Sequence, residues 1–113
     1  MKRSEFELLV TQVLTELPKE FQDRLQSVDV VVEDVATKEQ IAGRHFEDED
    51  LLIGLYEGVP LTELIDYGDV LPDRIYLFQS SIETLCTDVD EIREEIRQTV
   101  IQEIVHHFGM YDD

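Results

Sequence analysis

The chain closes on "DEIREEIRQTVIQEIVHHFGMYDD" (residues 90–113), and the architecture follows from how that segment is read. Ile92, Ile96, Val100, Ile104 and Phe108 recur every four residues, which draws one apolar stripe along a helix. Thr87 and Asp88 stand before it, and Asp90 and Glu91 fall in its first turn, where carboxylates complement the positive end of the helix dipole. Gly109 is placed to stop it. The segment therefore predicts one long terminal helix with a buried stripe and a polar remainder.

Upstream of this helix the periodicity changes. "RIYLFQ" (74–79) reads as a strand, preceded by the connection "LTELIDYGDVLPD" (61–73), which has room for one helical turn. "LLIGLYEGVP" (51–60) is a second apolar run; Gly54 and Gly58 point to a bulge or a close backbone approach, and Pro60 marks its end. Residues 36–50 are polar, contain Gly43 and read as a loop, whereas "VDVVVEDV" from Val28 is β-branched and alternating, hence a strand. At the N-terminus, Ser4 and Glu7 have capping-box spacing, and Phe6, Leu9, Val10, Val13, Leu14 and Leu17 repeat at helical intervals. Pro18 ends or restarts that helix, and Phe21 and Leu25 continue the stripe to about Gln26. The order is helix, three strands, helix: an α+β fold with a small sheet packed by helices on one face.

Composition narrows the function classes. At 113 residues the expectation is a single domain spanning 1–113, and 42% apolar content supplies a core. Cys86 is the only cysteine, so no internal disulfide can form, and a reducing cytoplasm is the expected setting. In "MKRSEFELLV" the acids Glu5 and Glu7 interrupt what a signal peptide would need as an apolar core, and no apolar run approaches the ~20 residues of a membrane span. Twenty-seven acidic against nine basic residues give a net charge of −18, which repels phosphate backbones and anionic lipids. Nucleic acids and membranes are therefore not expected partners. The acids are spread along the chain, as a solvated surface would have them.

The polar side of the last helix carries the chemistry. Positions 102 and 106 lie about 40° apart around the axis and ~6 Å apart along it, so they share a face, and position 103 lies about 60° from 106. Glu103, His106, Gly109 and Asp112 give E-x-x-H followed by G-x-x-D, a weak pattern by itself. Both His106 and His107 also suit the negative end of a helix dipole.

Together, "LLIGLYEGVPLTEL", "LPDRIYLFQ", "SIETLC" and the final helix make the chain resemble the small bacterial zincin-like metallopeptidases, the mini-zincins with an H-E-x-x-H-x-x-G-x-x-D motif. The resemblance runs over nearly the whole chain. It implies a minimal zincin-like fold, with an N-terminal helix and a C-terminal active-site helix on a short twisted sheet. It further implies zinc held by two histidines and an aspartate, a glutamate as general base, and hydrolysis of peptide or protein substrates. By that resemblance Glu103 matches the base, His106 the second histidine, Gly109 the turn glycine and Asp112 the aspartate. An extended substrate would pair with an edge strand, which either "LLIGLYEG" or "RIYLFQ" could supply.

Gln102 departs from the motif, standing where the first histidine ligand belongs. A neutral amide oxygen is a poorer zinc donor than an imidazole nitrogen, so the substitution predicts weaker metal binding and impaired catalysis. His45, His107 and Asp113 are the candidate substitutes, His107 only if the helix turn distorts. The alternative is a non-catalytic zincin-fold protein that binds peptides or proteins, for instance at a sheet edge. Cys86 lacks any assignable catalytic partner and reads as a buried apolar residue. A chain of this size has little wall for a deep cleft, and a homodimer that completes it is an expectation.

Overall fold

A computed structural model describes residues 1–41, 52–58 and 73–109 of the chain. The expected turn within 61–73, the end of the second apolar run at Pro60, and His45, Asp112 and Asp113 lie outside or largely outside those residues.

Helix α1 (Arg3–Glu16) buries Phe6, Leu9, Val10 and Val13 on one face. Its cap differs from the expected Ser4 and Glu7 pair: Lys2 is the N-cap, and the Glu5 carboxylate accepts the Lys2 backbone N–H at 3.2 Å. The third helical residue is the one that can reach back, and in this register it is Glu5. Leu17 turns extended ahead of Pro18, which disfavours helix in the residue before it. The chain restarts as α2 (Lys19–Leu25), and the Gln22 side-chain amide donates to the carbonyls of Thr15 and Leu17 at 2.9 and 2.7 Å. Two carbonyls left open by the end of α1 are satisfied in that way.

Strand β1 (Val28–Glu33) follows, then a short helix α3 (Lys38–Ile41), then β2 (Gly54–Glu57) and β3 (Asp73–Phe78). The stretch expected to be loop thus contains a helical turn, and its signal is Thr37 with Gln40. Gln40 N–H donates to the Thr37 hydroxyl at 3.1 Å, and Thr37 N–H to the Gln40 side-chain oxygen at 2.9 Å, a reciprocal cap. The strand order is β1-β3-β2, with β3 parallel to β1 and antiparallel to β2. Val30 lies opposite Ile75 and Val32 opposite Leu77, while Tyr56 and Gly54 oppose the same two residues from the other side.

β3 ends at Phe78, one residue before the expected end, because Gln79 opens helix α4 (Gln79–Leu85), which the sequence pattern did not reveal. The last helix, α5 (Val89–Phe108), begins as expected: the Asp88 side chain accepts Glu91 N–H at 2.8 Å, and Gly109 closes it at φ 65°. Ile75 and Leu77 meet Phe6, Val13, Ile82, Ile96, Val100 and Ile104 on one face of the sheet, forming the main core. The opposite face carries a smaller cluster of Ala36, Leu52, Leu55 and Phe78. The architecture is the α+β arrangement expected, compatible with a minimal zincin-like fold. Phe108 departs from its expected place in the buried stripe: it is 38% exposed, because the core stops at Ile104. No described helix is long and apolar enough to cross a membrane.

Candidate functional site

β3 is the central strand, so "RIYLFQ" cannot present an open edge, whereas β2, within "LLIGLYEG", has β3 on one side only among the described residues. Phe78 N–H donates to the Ile53 carbonyl at 2.9 Å, and this pair sets the alternation along the ladder. Leu55 and Glu57 then direct their backbone groups toward β3, and Gly54 and Tyr56 direct theirs to the open side. On side chains the division is different: Leu55 joins the smaller cluster, while Gly54 and Tyr56 face α5.

The contact between β2 and α5 is close. A Cβ on Gly54 would overlap Thr99 Cγ2 and come within 3.3 Å of the Tyr76 carbonyl. The close approach suggested by this glycine in the sequence is therefore present. Two turns further on, the Tyr56 and His107 rings stack with centroids 3.8 Å apart and planes 14° apart. Thr99, Glu103 and His107 are spaced by four, so they form one ridge of α5 whose two ends touch β2. Glu103, half-buried, sits on that ridge between those ends.

Gln102 and His106 lie on the adjoining exposed face, one turn apart. α5 remains α-helical through Phe108, so no distorted turn brings His107 to them; its ring is laid on Tyr56 instead. Asp112, the remaining residue of the motif, and the substitutes His45 and Asp113 lie outside the described residues. Among the described residues no three His, Cys, Asp or Glu side chains converge as a metal cage.

Two residues at this end went unnoticed in the sequence. The Tyr56 hydroxyl donates to Asp73 Oδ2 at 2.7 Å, and His107 Nε2 lies 3.5 Å from the same oxygen. Burial first, then the hydrogen bond and charge of Asp73, push the Tyr56 phenol well above its ordinary value and keep it a neutral donor. Phe108 stands nearly perpendicular to both rings, with centroids 5.0 Å from His107 and 6.3 Å from Tyr56, and the Arg24 guanidinium lies 5.7 Å over its face. The alternation in "GLYE" places Tyr56 on the face of Gly54, but nothing in the sequence brings Asp73 to it. Cys86 is far from this chemistry in character: burial, then Glu95, Glu91 and Asp88, raise its thiol and disfavour the thiolate.

A family model described as "Zincin-like metallopeptidase" matches residues 25–113, a span that takes in all three strands and the whole of α5. Among solved structures, a conserved hypothetical protein from Thermo thermophilus is similar to this chain at 18% identity and a TM-score of 0.63, with 96% of this chain and 95% of that one covered. That likeness is one of fold. No curated protein matches the chain. With a helix carrying Gln102, Glu103 and His106 packed under an edge strand, and with the match running through both, the chain belongs to the zincin-like metallopeptidase family.

Proposed function

We propose that the chain binds an extended peptide along the open edge of β2 and hydrolyses it, with Glu103 as general base and a weakly held zinc ion. The observation that carries this reading is the place of Glu103, midway along the ridge that α5 presses against β2. The outward backbone groups of Gly54 and Tyr56 would pair with the peptide and align its scissile bond. Gln102, His106 and Asp112 would hold the metal: an amide oxygen, an imidazole and a carboxylate suit a divalent ion, though less tightly than a set with two imidazoles. Bound zinc supplies a water whose pKa is lowered to ~7. Glu103 would take a proton from the attacking water onto a carboxylate oxygen as the water oxygen bonds to the scissile carbonyl carbon, and would pass it to the leaving amine nitrogen as the C–N bond breaks.

Gln102 itself favours a second reading, in which the same edge binds peptides without cleaving them. Zinc affinity and cleavage of a peptide library, measured for the unaltered protein, Gln102→His and Glu103→Gln, separate the two. The hydrolase reading expects weak zinc binding that Gln102→His strengthens. It also expects cleavage in excess zinc that Glu103→Gln lowers by about 100-fold or more. Peptide binding without cleavage by the unaltered protein in excess zinc would establish the binding module.

A further inference from the structure

The stack of Tyr56 on His107 has a position out of proportion to its area. It lies one residue from His106 and one turn beyond Glu103, where α5 has already left the main core at Ile104. At its other end the contact with β2 is fixed by the close fit of Gly54 to Thr99. That fit sets the separation of helix and strand near residue 99, and beyond Val100 only Ile104 is fully buried to hold the last two turns against a roll about the helix axis. A side-chain tip about 6 Å from that axis moves about 2 Å in a 20° roll. Misplacement by 1 Å is enough to cost on the order of 100-fold in a reaction.

Beyond Ile104, three contacts around Tyr56 add to the resistance against such a roll, and they come from different directions. The stacked rings hold His107 against the face of β2. The Tyr56 hydroxyl, bonded to Asp73 at 2.7 Å, fixes the plane of the stack, and Asp73 belongs to the central strand. His107 Nε2, 3.5 Å from the same carboxylate oxygen, ties the helix to that strand as well.

We infer that Tyr56, Asp73 and His107 are positioning residues: they lock the last two turns of α5 in rotation, so that Glu103 and His106 meet the metal and the peptide held by β2. This rests on the hydrolase reading above for what is positioned, and on the cluster's own geometry for the locking.

The test uses the full chain carrying Gln102→His, with Tyr56→Ala, Tyr56→Phe and Asp73→Asn added singly. Zinc affinity is read by competition with a chromophoric chelator, and the amides of α5 by hydrogen exchange in metal-free protein. Tyr56→Ala is expected to weaken zinc binding about 10- to 100-fold, the range for residues that orient ligands from behind. Exchange should quicken at residues 104–108 and stay unchanged at 92–99. Tyr56→Phe keeps the stack and loses one hydrogen bond, so about a fivefold loss is expected, which marks partial rescue relative to alanine. Faster exchange with unaltered zinc affinity would make the cluster a purely structural support and overturn the inference, as would no change in either. If Gln102→His binds no zinc, the metal reading fails, and exchange alone then decides whether the cluster locks the helix. Should Tyr56→Ala not fold, Tyr56→Phe and Asp73→Asn carry the same comparison.

Discussion

The two halves of α5 obey different rules. Over Val89–Val100 the helix is capped by Asp88 and drives Ile92, Ile96 and Val100 into the core beside Phe6 and Leu77. Over the last two turns only Ile104 is fully buried; Gln102 and His106 are exposed, Glu103 is half-buried, and the His107 ring lies on Tyr56 of the edge strand. The first half anchors and the second presents. One continuous helix can do both because its core-facing stripe runs off the end of the apolar layer, leaving polar residues opposite β2.

That contrast makes graded predictions. Ile96→Ala in the anchoring half removes a fully buried side chain and should cost about 3 kcal/mol, seen as a lowered urea midpoint. Gly54→Ala strikes the seam between the halves, where the new methyl meets Thr99; about 1–3 kcal/mol should be lost. Adding Thr99→Ala should return much of it, and a double-mutant cycle showing strict additivity would contradict the close-fit account. Asp88→Ala removes the cap and should cost about 1 kcal/mol.

The same helix start has a pH signature. The Thr87 hydroxyl and backbone N–H bond the Glu91 carboxylate and hold it below the ordinary glutamate value. A lowered acid stabilises the fold above its unfolded pKa, and that contribution is lost as pH falls through the folded value. Thermal scans from neutral pH down through the glutamate range should show this loss, and Glu91→Gln should remove that part of the slope. In the presenting half, Gln102→His touches an exposed position and should change stability by no more than about 0.5 kcal/mol. A large stability loss there would erase the distinction between the halves.

Legibility follows the same division. Ile92, Ile96, Val100 and Ile104 announced the anchoring face because burial repeats at a local period that a sequence displays. Phe108 fitted that period and still lies outside the core, since where the apolar layer ends depends on the sheet and not on the helix. The expected strand at 74–79 was right to within one residue, but Gln79 turned into α4, whose "QSSIETL" has too weak a stripe to announce itself. The parallel pairing of β1 with β3 joins residues more than forty apart and leaves no local mark. Asp73 reached Tyr56 and His107 only through that strand order. Gln102, by contrast, was legible as an anomaly because a motif expected another residue there.

Gly54 has a further consequence, for how copies of the chain behave toward one another. An open strand edge is a template for self-pairing and aggregation, and proteins restrain it with short strands, weak strand formers and charge. β2 has only four residues, one is glycine, and it ends at Glu57. Two edges brought together would also bring together two chains of net charge −18. An uncharged or basic extended peptide would meet no such repulsion, so charge alone would disfavour pairing of this strand with its own copy.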